Sequence, residues 1–417
     1  MATTKIVVLD DDPTGSQTVH SCPLLLRWDP ATLHGALRHP SPLLFLLANT
    51  RALPPDQARK RVSEICRALR ETGQRFQIVS RGDSTLRGHY PIEADTIAAE
   101  LGPFDATLLV PAFLEGGRST RGAIHRLHGQ PMHETPFARD GLFGFSTSDL
   151  RQWVEEKTAG RIPAAAVQHL SLRDLEGPPD VLQSRLAGLS GTVAVDAERP
   201  EHLQLLAAAV RRSPRRFLIQ SAAGMVGALA ALPPQPLNAA GLAGLRRRGL
   251  PGLVVVGSHV PLADAQLERL LADPGCRGVE LPVDAPDEAA LLAELRAVLT
   301  DGLTPVLFTT RGERTCSSPA ERRALGLALA GTQARIAAAL APQLGYIISK
   351  GGITTHTLLA DGLALASVEL QGQLLPGLSL VLAGHLPVVT FPGNLGDADT
   401  LWDAWRLMER KAPQPLR

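Results

Sequence analysis

The amino-acid sequence predicts an α/β protein of two domains, each a mostly parallel or mixed β-sheet flanked by helices, with the active site in the cleft between them. Three observations support this fold class. At 417 residues, the chain is longer than one hydrophobic core usually serves. Short apolar runs alternate with amphipathic stretches of helical period, a pattern typical of parallel sheets wrapped by helices. A break rich in Pro, Gly and Ala, "ALPPQPLNAAGLAGLRRRGLPG", interrupts the alternation near mid-chain.

The individual elements follow in order. The first half opens with a buried strand at residues 6–9 and continues with strands at "LLFLLA", "FQIVS", "ATLLVP", "TVAVDA" and "RFLIQS", separated by amphipathic helices such as "DQARKRVSEICRALRE". The second half restarts with "GLVVVGS", "TPVLFTT" and "LGYIISKGG", each followed by a helix. Three late strands, "LASVEL", "LSLVLA" and "PVVTF", precede a final helix at 402–410. We therefore predict domains at 1–232 and 253–417, joined by a linker at 233–252.

Composition excludes several classes of protein. The apolar fraction of 44% and the charged fraction of 20% are typical of soluble globular proteins. A net charge of +1 provides no field that attracts nucleic acid or an anionic membrane. No apolar stretch is expected to approach the ~18 residues of a membrane span, and no signal peptide is evident. The four cysteines lack the paired spacing of a zinc or redox site. We expect a cytoplasmic protein without nucleic-acid or membrane partners; a homodimer is compatible with the sequence.

Polar side chains follow several strands of the first domain. Asp10, Asp11 and Asp12 end the first strand, and they are open to a plainer interpretation as a solvated turn. Comparable segments, "NTR", "RGDSTLRGH" and "AFLEGGR", end three further strands. Because a doubly wound sheet binds ligands at the carboxyl ends of its strands, these loops together predict a pocket for a small polyhydroxylated anion.

Glycine-rich turns follow strands of the second domain. They are "VVVGSHV", "SKGGITTHT" and "VTFPGNLGD", and the second contains Lys350, one of only five lysines. Two glycines at a helix start let backbone N–H groups approach a phosphate. The plainer alternative for each turn is an ordinary helix cap. The sequence contains neither a P-loop nor a dinucleotide fingerprint after a strand.

The motifs "DDDPTG", "NTRAL", "SRGDSTLRGHYPIE", "PAFLEGGR", "HETPFARD", "GSHVPLADAQ", "SKGGIT" and "FPGNLGD" resemble, in this order, those of the four-carbon acid sugar kinase family. The resemblance extends over almost the whole chain, from residue 5 to residue 397. It implies an N-terminal acid-sugar domain and a C-terminal nucleotide-binding domain. It also implies phosphorylation of a tetronate or 3-oxo-tetronate by ATP, giving the 4-phosphate.

The resemblance further implies binding residues for both ligands. On the substrate side these are Asp11, Asp12, Arg51, Arg81, Gly82, Asp83 and Ser84. On the nucleotide side they are Ser258, Gly351, Gly352, Ile353, Thr354 and Gly393. For catalysis, we expect Asp12 to orient the attacking hydroxyl and accept its proton, and Lys350 to stabilise the transferring phosphoryl group. Mg²⁺ should bridge the ATP phosphates and keep much of its water, so no dedicated metal site is expected.

Departures from the family pattern keep two other hypotheses open. They lie on the nucleotide side: "TTHT" follows the glycine pair, His259 follows the Gly-Ser turn, and Pro392 precedes Gly393. A non-catalytic acid-sugar binding protein with a degenerate nucleotide site is therefore one alternative. An NAD-dependent hydroxyacid dehydrogenase is the other, although its glycine fingerprint is absent. The spacing of His125, His128 and His133 suggests metal binding only weakly, because these residues lie in a loop rich in Gly and Pro.

Overall fold

The structure is a computed structural model, and it describes residues 4–12, 18–284, 286–312 and 318–409. The chain divides into two compact units. The first comprises the described part of residues 1–18 with 22–233, and the second comprises 19–21 with the described part of 234–417. Each unit contains a mostly parallel or mixed sheet flanked by helices, which confirms the predicted fold class. The interdomain cleft stays a prediction.

The first unit alternates strands with helices as predicted. Its strands are β1 Lys5–Asp10, β2 Cys22–Leu25, β3 Leu43–Leu47, β4 Phe76–Arg81, β5 Ala106–Val110, β6 Arg118–Arg121, β7 Ile124–Leu127, β8 Gln130–Pro131, β9 Gln168–Leu170, β10 Gly191–Val195 and β11 Phe217–Ser221. Its helices are α1 Pro30–Leu37, α2 Pro55–Glu71, α3 Ile92–Leu101, α4 Leu150–Lys157, α5 Leu172–Glu176, α6 Pro179–Ala187, α7 Pro200–Arg212 and α8 Ala223–Ala230.

The main sheet of this unit is parallel and brings distant strand ends to one edge. Its strand order is β2-β3-β1-β4-β11-β5-β10-β9. Asp10 is in register with Arg81, and Arg81 is in register with Ser221. The last residues of β1, β4 and β11 therefore lie side by side at the carboxyl edge. Strands β6 to β8 form a separate antiparallel sheet.

Helix α2 illustrates how the sequence determines packing. Its buried residues, Ala58, Val62, Ile65, Cys66 and Leu69, recur at helical spacing, and four of them join the core cluster around β1 and β3. Cys66 is completely buried and packs as a small core residue.

The second unit has a mixed sheet. Its strands are β12 Gly252–Val256, β13 Cys276–Leu281, β14 Thr304–Thr309, β15 Tyr346–Lys350, β16 Ser367–Leu375, β17 Leu378–Ala383 and β18 Leu386–Phe391. Its helices are α9 Ala239–Ala243, α10 Pro261–Leu271, α11 Glu288–Thr300, α12 Pro319–Leu340, α13 Gly352–Thr357 and α14 Thr400–Glu409. The order is β13-β14-β12-β15-β18-β17-β16, parallel from β13 to β18 and antiparallel for the last two strands.

Most of the segment predicted as a linker, 233–252, folds as part of the second unit. It contains α9, whose Leu242 and Ala243 are buried in that unit's core. The Arg246 side chain donates a hydrogen bond of 2.6 Å to the carbonyl oxygen of Met408. The abundance of Pro and Gly concealed these contacts, so the linker interpretation is corrected.

One helical stretch of the described chain, Glu321–Gln343, is long and apolar enough by composition to cross a membrane. The expectation that no stretch approaches this length is therefore wrong for this segment. Within the second unit, 44% of its most apolar window is buried. Its fully or almost fully buried side chains include Ala334, Ala337 and Leu340. Core helices of globular proteins meet the same test, so the composition is weak evidence for a membrane span.

Candidate functional site

Three aspartates at the end of β1 face two arginines. Asp10 and Asp11 are buried, and Arg81 Nη1 lies 3.1 Å from Asp10 Oδ1 and 3.0 Å from Asp11 Oδ1. Asp10 Oδ1 also accepts a hydrogen bond from the Asp12 N–H. Burial raises the pKa of Asp10 to about 7, although Arg81 acts in the opposite direction. The predicted turn at Pro13–Gly15 lies outside the described residues.

Arg51 lies on a short 3₁₀ turn, Thr50–Ala52, directly after β3. Its Nη2 is 2.6 Å from Asp12 Oδ2, its Nε is 3.3 Å from Asp11 Oδ2, and its Nη1 is 3.7 Å from Asp83 Oδ1. Each of its nitrogens therefore faces a carboxylate of the protein. Its role as a substrate-binding residue stays a prediction.

The "RGDS" segment is fixed to the neighbouring strand and to the small sheet. The Gly82 N–H donates 2.9 Å to the Ser221 carbonyl oxygen. Asp83 Oδ2 accepts from Arg87 Nε at 2.7 Å. The carbonyl oxygen of Ser84 lies 2.8 Å from His125 Nε2. The structure thus brings Arg81, Gly82, Asp83 and Ser84 to the same edge as the aspartates.

His125 is a core histidine rather than a metal ligand. It is completely buried, and its other ring nitrogen lies 2.9 Å from Thr120 Oγ1. Burial lowers the pKa of His125 to about 4. His133 contacts Ser148 instead. Among residues within the described ranges, no three or more His, Cys, Asp or Glu side chains are arranged to hold a metal ion.

A small pocket of about 30 Å³ opens beside the "RGDS" segment. Its lining includes Asp83, Glu93, Trp153, Gln220 and Ser221. Gln220 Oε1 and Ser221 Oγ are buried and have no hydrogen-bond partner in the described structure. Burial, assisted by the negative charge of Asp11, raises the pKa of Glu93 to about 7. Sequence analysis missed Gln220 and Ser221; the polar ending of the strand "RFLIQS" was the available signal.

The glycine turns of the second unit meet around Ser258. Gly351 has φ of +119°, and a Cβ there would lie 3.4 Å from the Ser258 N atom. A Cβ at Gly393 would lie 2.7 Å from Ser258 Oγ. Thr354, on α13 after Gly352, has its Oγ1 beside Gly257, whereas Ile353 is 37% exposed. The structure therefore places the predicted nucleotide residues in one neighbourhood.

Lys350 is the last residue of β15, directly before Gly351, and is completely buried. Its Nζ lies 3.2 Å from the Pro392 carbonyl oxygen and 3.3 Å from that of Gly393. The same atom is 3.8 Å from the centre of the Phe391 ring. Burial, with the charge of Arg311 assisting, lowers the pKa of Lys350 to about 7. In this geometry Lys350 holds the "FPGN" turn in place.

Sequence analysis missed Arg311 as a candidate for nucleotide binding. It follows β14, and its Nε lies 2.6 Å from Asp264 Oδ1 while Nη2 donates 2.8 Å to the Ser258 carbonyl oxygen. Its Nη1 is buried without a partner in the described part of the chain. Next to it, His259 Nε2 lies 2.8 Å from Thr309 Oγ1. The charged end of the strand "TPVLFTTRG" was the available signal.

Comparison with known proteins gives the class: a phosphotransferase with an alcohol group as acceptor, on a two-domain α/β fold. Residues 6–229 match the family described as a sugar-binding N-terminal domain, and 253–401 match the one described as a nucleotide-binding C-terminal domain. The chain belongs to the four-carbon acid sugar kinase family. The nucleotide-binding domain of a kinase implies use of ATP.

Relatives and solved structures agree with this assignment. The chain is 27% identical to a D-threonate kinase of Salmonella typhimurium, over 97% of this chain and 98% of that one. It is 25% identical to a D-erythronate kinase of Heliobacterium modesticaldum, over 86% and 85%. A Salmonella typhimurium structure described as a putative tRNA synthase has a TM-score of 0.75 at 17% identity, over 98% and 99%. A Haemophilus influenzae protein has a TM-score of 0.68 at 18% identity, over 96% and 99%. The two structures support the fold alone.

Proposed function

We propose that this enzyme transfers the γ-phosphoryl group of ATP to the terminal O4 hydroxyl of a tetronate or 3-oxo-tetronate. The observation that carries the proposal is the polar edge of the first unit's sheet. There, Gln220 Oε1 and Ser221 Oγ lack partners beside Asp83 and Glu93. Buried polar groups without partners are costly, and a ligand with several hydroxyl groups would satisfy them.

On the substrate side, we assign the hydroxyl-binding groups to Asp11, Asp12 and the segment from Arg81 to Ser84. Asp12 is the most exposed of the three aspartates, at 23% of its side chain. We assign to Asp12 the role of accepting the proton of the attacking hydroxyl. As the bond from O4 to the γ-phosphorus forms, the O4–H proton passes to the Asp12 carboxylate. The bond from phosphorus to the bridging oxygen breaks, and ADP leaves.

On the nucleotide side, we assign the phosphates to the Ser258 neighbourhood. The turns at Gly351 and Gly393 lie against Ser258, where a Cβ would crowd its backbone N and its Oγ, and Gly352 begins α13 directly after Gly351. Arg311 Nη1 offers a donor that has no partner among the described residues. Arg311 binds the Ser258 carbonyl oxygen, and its positive charge at this position suits a site for a phosphate. Lys350 adds positive charge when protonated, and a bound phosphate would favour that form.

Mg²⁺ fits this site as an ion carried by ATP. The described residues offer no carboxylate cage for a metal, and Mg²⁺ on phosphates usually retains several of its waters. When bound, the ion neutralises charge on the phosphates of ATP. Location in the cytoplasm and a homodimer stay predictions.

A coupled ADP-release assay tests the function. The enzyme is given ATP and Mg²⁺ with D-threonate, D-erythronate and their 3-oxo counterparts, and then with NAD⁺ in place of ATP. We expect ADP release that depends on one of these acids. Binding of an acid without ADP release would favour the acid-sugar binding protein, and reduction of NAD⁺ would favour the dehydrogenase.

A further inference from the structure

The substrate site contains several arginines, and most of them are already neutralised by the protein. Arg51 faces Asp11, Asp12 and Asp83, and Arg81 faces two buried aspartates. Arg87 lies 2.7 Å from Asp83 and 3.7 Å from Asp140. An incoming carboxylate would have to compete with these internal carboxylates for each guanidinium.

Arg118 differs from these three. Its Nη1 donates to the carbonyl oxygen of Gly116, and its Nε is buried without any hydrogen-bond partner in the described chain. No carboxylate within the described ranges lies at ion-pair distance from it. A Cβ at position 116 would lie 2.2 Å from Arg118 Nη1, so the guanidinium occupies space that is available because residue 116 is glycine. Arg118 is thus a partly buried cation that has a buried Nε and no counter-charge among the described residues, which is an unfavourable state for a folded protein.

Its position places it near the "RGDS" segment. Arg118 begins β6, and its carbonyl oxygen and N–H both pair with Phe113, directly after β5. It lies close enough to Asp83 and Arg87 for both to influence its pKa, which burial lowers. On the same sheet, His125 reaches the Ser84 carbonyl oxygen. The backbone around Arg118 is therefore fixed, and its charge adjoins the "RGDS" segment.

We propose that Arg118 is a residue that binds the carboxylate of the substrate, in addition to the contacts that Arg51 makes with Asp11 and Asp12. The inference rests on the proposed function for the substrate class. With Nη1 engaged by Gly116, the edge that carries Nε is left for a bidentate contact with the acid group. Binding the anion removes the cost of the unpaired charge, so the acid is preferred over a neutral polyol.

The test compares an acid with its neutral counterpart on matched variants. Affinities for D-threonate and D-erythronate, and for the tetritols threitol and erythritol, are measured by calorimetry on the wild type, Arg118→Gln, Arg51→Gln and Arg126→Gln. Arg126 is the control, because it lies on the neighbouring strand β7 and donates only to the carbonyl oxygens of Arg121 and Ile124. Where a tetritol binds too weakly for calorimetry, the ratio of kcat/KM values from ADP release replaces the ratio of affinities.

For Arg118→Gln, we expect acid affinity to fall about 10- to 100-fold while tetritol affinity changes little, since a hydrogen bond to a charged group contributes about 1.5–3 kcal/mol. Arg51→Gln should weaken both kinds of ligand, and Arg126→Gln neither. The melting temperature of free Arg118→Gln should not fall, because the variant removes a partly buried charge that has no ion-pair partner among the described residues.

An equal loss for acid and tetritol, an unchanged acid affinity, or a lower melting temperature of the free variant would overturn this role for Arg118. Acid binding that depends on Arg118, in an enzyme that releases no ADP, would contradict the proposed kinase reaction and leave the Arg118 assignment standing.

Discussion

At the scale of single residues, burial shifts the pKa of titratable groups at both sites. Asp10 and Glu93 in the first unit and Lys350 in the second are buried, and burial moves the pKa of each to about 7. None of these shifts is removed by the neighbouring charges. Groups with strongly shifted pKa values concentrate at functional sites, because binding and proton transfer need groups poised between charge states.

Replacing Asp12 tests its role as proton acceptor. Asp12→Asn keeps the size of the side chain and removes the basic oxygen, so kcat should fall about 10²- to 10⁴-fold, the usual contribution of a general base. ATP affinity should stay close to that of the wild type. Steady-state kinetics of ADP release measures both, with Asp56→Asn, an exposed residue of α2, as the control. A kcat within threefold of the wild type would remove Asp12 from the proton transfer.

Glu93 gives a prediction on pH. Its pKa in the folded protein, about 7, exceeds the ordinary value of 4.5. The folded state therefore binds more protons, and this stabilising contribution is lost as pH rises from about 5 through 7. Glu93→Gln should match the wild type near pH 5 and exceed its stability near pH 8, by on the order of 1–2 kcal/mol. Urea unfolding at both pH values measures this, with exposed Glu71→Gln as control. If the free energy of unfolding changed with pH equally in Glu93→Gln and in the wild type, the prediction would be contradicted.

At the scale of elements, the sequence predicted the strands and their polar ends but not their neighbours. The runs that became β1, β3, β4, β5 and β11 were found from apolar periodicity, and the "RGDS" and glycine turns were found from residue type. The order of strands was not available from the sequence. Because β11 inserts between β4 and β5, Ser221 comes to lie beside Arg81, and only this pairing shows that Gln220 and Ser221 belong to the site.

The same limit applies to charge pairing. The sequence indicated arginines and aspartates in one region, but which arginine is neutralised depends on contacts between distant loops. Arg51 and Asp83 belong to different strand ends, and they come within 3.7 Å only in the folded sheet. Arg118 could not be distinguished from Arg51 without these distances.

The Gly393 turn gives a prediction at this scale. Gly393→Ala should lower ATP affinity about tenfold, because its Cβ would press on Ser258 Oγ, and inserting one methyl group into a tight contact costs about 1–3 kcal/mol. Affinity for the acid should not change. Gly326→Ala, in α12 where a Cβ meets nothing, is the control. Calorimetry measures the affinity of each variant for ATP. An unchanged ATP affinity in Gly393→Ala would mean that the phosphates of ATP bind elsewhere.

At the scale of the whole molecule, the two units should respond to pH in opposite directions. Asp10 and Glu93 have raised pKa values, so the first unit loses stability as pH rises through about 7. Lys350 has a pKa lowered from 10.5 to about 7, so between these pH values the unfolded state binds the extra proton and the second unit gains stability as pH rises above about 7.

Differential scanning calorimetry tests this contrast, since proteins of several domains often unfold in more than one step. As pH is raised from about 5 to 7, we expect one transition to move to lower temperature, and as it is raised further to about 9, we expect another to move to higher temperature. In Lys350→Met, the upward shift of the second transition should be reduced. Two transitions that move together in the wild type would contradict the assignment of these shifts to separate units.

The central claim is that this chain phosphorylates a four-carbon acid at its terminal hydroxyl. The most direct measurement is ³¹P NMR of the product formed from ATP, Mg²⁺ and whichever four-carbon acid supports ADP release. A phosphate ester on O4 is coupled to the two protons of C4, so the account predicts a new monoester signal split into a triplet. A doublet would place the phosphate on a carbon that bears one proton. Inorganic phosphate as the sole new signal would mean hydrolysis of ATP without transfer, and would contradict the account.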